Sequence, residues 1–445
     1  CYFTDEEPAG IFWFLLAAAL SEGAARHRAR RSASATGRSP APPSPPRPSL
    51  GRRLERGLKA RLLPRAARHF PPRPAPQRFD LAAARRLLVV RQDQRLGNLL
   101  LITPFLQALR ELAPQAEIQL LLGDRFAPLF EDCPWIDGRI VERKRWLIRH
   151  PYAYPRHLRR ISDPPWEATF ELSNPDTHSF YNALMTIVSR APLRIGFDHP
   201  RSRPALSHPI APPRGPTHVS LAPLLLLDAL GSSPAVHPLR LPSRSMTTCA
   251  ARSTEGPLLI HPGGRGAKRW PAERFAALIT ELARDSQRSL RLIGGPADQT
   301  ALSEVTQIAG GVAQVRRLGS LAELLDELAT ASLYIGSDAG PLHVAAAAGA
   351  PTISLFVTSD PLRYAPLGGR HEALLLGAAS RRRAAAAQPR LAGGSALEAH
   401  LYAARPRTVT PPSGAAADAE VAFVAERVRH ALERAAAHTR EGANR

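Results

Sequence analysis

Two stretches of the chain repeat one pattern: an apolar run without polar alternation, a loop, and then residues at helical spacing. The first, RRLLVVRQDQRLGNLLLITPFLQALRELAPQAEIQLLLGDRFAPLF, predicts a strand over Leu87–Val90 and a loop over Arg91–Gly97. A helix to about Leu112 and a second strand over Glu117–Leu122 follow, with Pro114 and Gly123 supplying the breaks. The second, PLLIHPGGRGAKRWPAERFAALITELARDSQRSLRLIGGPADQTALSEV, gives strand, Gly-rich loop, helix, strand, loop, helix. A strand with polar residues on neither face must be covered on both, which is the condition of a parallel sheet between layers of helices. Two such blocks predict an α/β chain of two Rossmann-like domains. Between them, HPIAPPRGPTHVSLAPLLLLDALGSSPAVHPLRLP reads as a connecting region with one helix.

The 445 residues suffice for two or three domains with real cores. Charge is spread unevenly: of the net +21, the segment from Ala24 to Ala75 holds 14 Lys or Arg against one acid, Glu55, leaving +13 in that segment alone. Rich in Pro, Ser, Ala and Arg, it is expected to be disordered, and residues 1–75 are assigned no enzymatic role. Ahead of it, GIFWFLLAAAL is too short to span a bilayer as a helix. The acidic TDEEP before that run is unlike the basic start of a signal peptide, and an opening Cys1 is what a fragment or misplaced start would show. Cys1, Cys133 and Cys249 are too scattered for a metal site or a disulfide framework, so a reducing cytoplasm is expected. The Arg-rich segment has no aromatic or motif support for nucleic-acid binding.

Candidate chemistry sits at the strand ends. In open α/β sheets ligands bind beyond the carboxyl ends of the strands, where helix N-termini present unpaired amides and a positive dipole end. IGSDAGPLH closes one strand with Asp338, then Gly340, Pro341, Leu342 and His343. Pro341 suits a first helical turn, and VAAAAGA lets that helix lie close to a sheet or ligand. Taken alone, the motif equally describes Ser337 or Asp338 capping a helix with His343 on the surface. LLIHPGGRGAKRWP adds Gly263, Gly264, Gly266 and the cation Lys268, a natural diphosphate cradle that lacks P-loop spacing. LIGGPADQ places Asp298 where a carboxylate could meet a ribose hydroxyl, and the absence of a strict G-x-G-x-x-G argues against a dinucleotide dehydrogenase.

Read together, VVRQDQRLGNLLLITPFLQALRE, HPGGRGAKRWPAERFAAL, LIGGPADQ and LGSLAELLDELATASLYIGSDAGPLHVAAAAGAPTISLFVTSDPLRYAPLG resemble glycosyltransferase family 9, the heptosyltransferases of lipopolysaccharide core assembly. The likeness runs from about Arg85 to Gly369. It implies a GT-B architecture, two Rossmann-like domains with parallel sheets facing a central cleft, the donor on the C-terminal domain and the acceptor on the N-terminal one. It also implies an inverting, metal-independent transfer without a cofactor, from an ADP-linked sugar, usually ADP-heptose. By position, Lys268 would neutralise the diphosphate, Gly263 and Gly264 would admit it, and Asp338 would bond sugar hydroxyls. Amides around Gly340 to Leu342 would meet phosphate beside His343, while Asp298 aligns less well with the family's ribose-binding acid. The family carries Gly-Asp after the first strand, its aspartate the expected base, whereas Gly97 is followed here by Asn98. An amide cannot take that proton. Asp93 in the same loop becomes the candidate base, with Asn98 orienting the acceptor; the alternative for Asp93 is a solvated loop aspartate, and the alternative for the chain is a catalytically silent nucleotide-sugar or glycan-binding homologue.

The expected partition is a disordered 1–75, an acceptor domain with linker over 76–250, a nucleotide-sugar domain over 251–375, a low-complexity loop over 376–418 and a C-terminal helix over 419–445. ERKRWLIRH, Glu142 to His150, would attract the anionic core of a lipid-linked acceptor at the inner membrane surface, or serve as a solvated face. No metal is implied, and the expected location is cytoplasmic.

Overall fold

The structure is a computed structural model that describes residues 61–69, 79–143, 154–163, 165–243, 255–285, 288–386, 395–412 and 416–443. Its first sheet comprises β1 (Arg86–Arg91), β2 (Glu117–Gly123), β3 (Gly138–Glu142), β4 (Ala168–Glu171), β5 (Leu193–Phe197) and β6 (His208–Ile210), in the order β3-β2-β1-β4-β5-β6. The second comprises β7 (Leu258–His261), β8 (Leu290–Gly294), β9 (Gln314–Arg317), β10 (Leu333–Ser337), β11 (Thr352–Phe356), β12 (His371–Leu375) and β13 (Thr408–Val409). Its order is β13-β12-β11-β10-β7-β8-β9. Every pairing is parallel, as the unalternated apolar runs require. In β1, Leu87 and Val89 enter one apolar core while Leu88 and Val90 enter another on the opposite face.

Each sheet has a switch point where strand order reverses, between β1 and β4 in the first and between β7 and β10 in the second. Crevices open at such points, and the polar residues singled out in the sequence cluster there. The two domains do not merely face each other. One core runs from Leu99, Leu100 and Phe105 of the first to Leu328, Leu342 and Val344 of the second. The helix Leu96–Leu100 packs on the helix Gly340–Ala347, so the loop after β1 meets the motif after β10.

Two segments and one charged run differ from what was predicted. Within the segment expected to be disordered, residues 61–69 form a helix whose Leu62, Leu63 and Ala67 are buried against Val90, Leu121 and Trp166. Two adjacent leucines and an alanine suffice to bind it, because the sheet face they cover is already apolar; the rest of 1–75 lies outside the described residues. The region 376–418 is not simply a loop, since it forms the helices Ala378–Ala386 and Ala396–Ala403 and the strand β13, which extends the second sheet beside β12. Leu401 and Tyr402 are buried, and the Glu398 carboxylate accepts from the Arg214 amide at 2.6 Å, tying this region to the linker. The linker itself contributes one helix, Leu224–Asp228, after the short β6. Finally, Glu142 is buried and paired with His157 at 2.5 Å, so it is no member of a charged surface run; residues 144–150 of that run lie outside the described residues. The terminal helix Ala417–Ala443 packs on the helix Ala272–Asp285 through Val421, Val424 and Val428. Among the described residues, no helix is long and apolar enough to cross a membrane.

Candidate active site at the domain junction

On the first domain, β1 ends at Arg91 and the chain turns through Asp93 before the helix Leu96–Leu100. The turn is closed by the Asp93 carboxylate itself, which accepts from the Arg95 amide at 3.0 Å and from Asn98 Nδ2 at 2.6 Å. Asp93 and Asn98 therefore form one unit in which the amide fixes the carboxylate's orientation. Arg91 stands 3.5 Å from the same oxygen, donates to Asn174 at 3.2 Å and to the Leu172 carbonyl, and is buried. Burial lowers its pKa, opposed by the charges of Asp93 and Glu171. Glu171, at the end of β4, accepts from the Ser173 amide and hydroxyl. Burial raises its carboxyl above the usual range against those bonds and the charge of Arg91.

On the other domain, β7 ends at His261 and the Gly-rich loop follows. Gly264 and Gly266 have φ of 145° and 53°, the left-handed region where glycine is favoured. Gly263 is required by packing rather than by a ligand: a Cβ there would lie 2.2 Å from Asp298 Oδ1 and 2.5 Å from His261 Cε1. The loop delivers Lys268, whose ammonium bonds Asp338 Oδ2 at 2.7 Å. Asp338 is buried and Lys268 is 42% exposed, so the pair presents its cationic side to solvent. His343 lies 3.8 Å from the other Asp338 oxygen and is also buried. Burial lowers its pKa, partly offset by Asp338 and reinforced by Lys268. The loop's far end is pinned by buried Trp270, whose backbone amide bonds Ser337 Oγ at 3.3 Å and whose indole bonds Glu420 at 2.7 Å.

Two sequence expectations change in detail. Asp298 also braces its own turn: its Oδ2 takes the Gly295 amide at 3.0 Å and meets His261 at 3.3 Å. Burial works to raise its pKa, but His261 and that amide outweigh it and hold the carboxyl low. Nor is the Leu342 amide available to phosphate, because it donates to the Ala339 carbonyl at 3.1 Å; Pro341 has no N–H, and Leu342 instead buries its side chain in the shared core. Gly340 sits against Gly97 at the helix start.

Sequence reasoning passed over the segment that clasps the two halves. TSDPLRYAPLG carried the family likeness, yet none of its residues was assigned a role. Arg363 pairs with Asp176 of the first domain, its carbonyl accepts from the Val219 amide at 3.0 Å, and the Ala365 carbonyl meets His218 Nε2 at 3.0 Å. The ring of Tyr364 has two cations near it, with Lys268 Nζ 5.5 Å and Arg363 Cζ 5.9 Å from its centroid. His218 is fully buried, and burial, then the nearby His343, pushes its pKa down to about 3. Thr217 Oγ1, Ser359 Oγ and Arg363 Nε are buried around this clasp with no hydrogen-bond partner, leaving polar capacity at the junction.

Two sheets of parallel strands with polar groups gathered at their carboxyl ends form a GT-B fold, and the likeness to known proteins makes the chain a glycosyltransferase. Residues 170–390 match the family model described as Glycosyltransferase family 9 (heptosyltransferase), which makes the chain a family 9 heptosyltransferase-like protein. Among its relatives is "Lipopolysaccharide heptosyltransferase 3" of Escherichia coli, 27% identical over 292 residues, covering 61% of this chain and 83% of the relative. The protein of the same name from Escherichia coli (strain K12) is 25% identical over 296 residues, with 61% and 82% covered. The fold is shared with the glycosyl transferase family 9 structure from Veillonella parvula DSM 2008, at a TM-score of 0.58 and 23% identity over 74% of this chain and 97% of that one. It is shared too with E. coli heptosyltransferase WaaC solved with ADP, at a TM-score of 0.53 and 18% identity over 78% and 99%.

Proposed function

We propose that this glycosyltransferase moves a sugar, heptose from ADP-heptose, to a lipopolysaccharide core or related glycan, with inversion and without a metal ion. The observation that carries the reading is the meeting of Asp93 with the Lys268, Asp338 and His343 group through the packed helices Leu96–Leu100 and Gly340–Ala347. The names of the E. coli relatives supply the donor and acceptor classes. In an inverting transfer the acceptor hydroxyl attacks the anomeric carbon from the face opposite the diphosphate. Asp93 takes the hydroxyl proton as the new C–O bond forms, and the old anomeric C–O bond breaks with its electron pair departing on the diphosphate. The charge that develops there is met by Lys268 at the mouth of the helix Gly340–Ala347, which performs the neutralising role a metal ion plays elsewhere. Asp338 and the unpartnered hydroxyls of Thr217 and Ser359 are the groups suited to sugar hydroxyls.

The anionic acceptor has a matching surface. In the helix Tyr154–Ser162, Arg156, Arg159 and Arg160 are exposed while His157, Leu158 and Ile161 are buried, which gives one basic face on the acceptor domain. Such a face draws an enzyme to the anionic cytoplasmic leaflet without inserting it. The full chain incubated with ADP-heptose and truncated lipopolysaccharides should yield a product heavier by one heptose by mass spectrometry, with the anomeric configuration opposite to the donor's by NMR. Transfer from UDP-linked sugars alone, or retention of configuration, would overturn the reading.

A further inference from the structure

Lys268 is the one residue of the donor group whose side chain is substantially exposed, and a lysine stem of four carbons loses considerable rotamer freedom when it is held in place. Two contacts restrain it. Asp338 does so by charge, at 2.7 Å, and in doing so spends part of the positive field that a diphosphate would use. Tyr364 does so differently. Its ring, 5.5 Å from the ammonium, attracts the cation through the negative face of the π-system while carrying no net charge of its own. An incoming diphosphate competes with Asp338 for the ammonium but not with the ring. The ring is also a firm support: it packs on the small apolar cluster of Phe356, Ala365, Ala373 and Leu375. The backbone on either side is tied across the junction through the Arg363 and Ala365 carbonyls.

We propose that Tyr364 is a positioning residue of the donor site, holding the Lys268 ammonium over its ring where a nucleoside diphosphate is bound. The proposal rests on the donor-site reading given above and adds to it the element that aims the cation. Because the same three residues, Arg363 to Ala365, clasp the first domain, the aim of Lys268 is set only when the two halves are docked. Donor affinity and domain docking are thereby linked through one side chain.

Calorimetric titration of the full chain with ADP tests this. Tyr364→Leu should weaken ADP about 2- to 30-fold, the span of a cation–π contact from exposed to desolvated, and Tyr364→Phe should restore it. In a Lys268→Ala background, Tyr364→Leu should cost nothing further. Phenylalanines of increasing fluorination at position 364 keep the shape while draining the ring face of negative charge, so affinity should fall stepwise even if the leucine variant does not fold. Unchanged affinity in Tyr364→Leu, or an equal loss with and without Lys268, would overturn the proposal while leaving the donor site standing. Unchanged ADP binding in Lys268→Ala alone would instead sink the donor-site reading beneath it.

Discussion

Gly97 and His343 meet across the domain junction so closely that a Cβ on Gly97 would lie 2.7 Å from His343 Cδ2. The glycine is buried in the helix Leu96–Leu100, and the histidine ring is also buried. Gly97→Ala should therefore overpack the junction and cost about 1–3 kcal/mol. Its effect on turnover should exceed its effect on stability, because the displaced elements carry Asp93 and His343. Thermal unfolding and initial rates measured side by side would show it, and wild-type values for both would mean that the junction opens freely.

The base assignment makes a sharper demand. Asp93→Asn should lower turnover about 10²- to 10⁴-fold with ADP affinity nearly unchanged, as loss of a general base does. Asn98→Asp would place a second carboxylate where a donor now stands 2.6 Å from Asp93. Like charges so close raise one pKa of the pair, so the acidic limb of the rate–pH profile should move to higher pH. Full activity in Asp93→Asn would demote the residue to a loop brace.

Lys268→Ala should weaken ADP binding by about 1.5–3 kcal/mol, the worth of a hydrogen bond to a charged group. Part of that loss comes from baring Asp338, whose buried carboxylate then repels the diphosphate. Adding Asp338→Asn should recover some affinity by calorimetry. A double variant weaker than the single one would show that Asp338 binds the donor directly.

Stability should fall with acid in a window set by His218. Its pKa is about 3 in the fold against an ordinary 6.5, so between those values the unfolded chain holds a proton that the folded chain does not. Stability is then full above about pH 6.5 and is lost as pH falls toward 3, at up to about 1.4 kcal/mol per pH unit for each such proton. His343, lowered by burial as well, adds to the same slope, whereas Glu171, raised by burial, opposes it above its ordinary 4.5. Urea denaturation of wild type and His218→Asn between pH 7 and 4.5 isolates the term. Parallel pH dependences in the two proteins would count against it.

The helix at residues 61–69 should matter to the fold although it lies in a segment whose composition argues otherwise. Leu63 is 1% exposed within the core formed by Val90, Leu121 and Trp166. Leu63→Ala should cost about 2–5 kcal/mol by chemical denaturation. A cost near zero would mean that this helix is not seated on the sheet.

The apolar runs by themselves determined the strands and their parallel pairing, since a strand such as Leu87–Val90 with no polar face has no stable place outside a covered sheet. The expected second strand, Glu117–Leu122, falls within β2 for the same reason. The polar strand ends were legible as one cluster, because topology puts loops after parallel strands at one edge. Composition misled at residues 61–69 and 376–418, where a few apolar side chains find partners far away in the chain. The Asn98 to Asp93 bond, the use of Asp298 and Leu342 inside their own turns, and the seat of Lys268 on Tyr364 were decided only by the tertiary structure. Hydrogen bonds and ring contacts depend on distances of a few ångströms, some between residues nearly a hundred or more positions apart, and local pattern carries no record of how two domains come to dock.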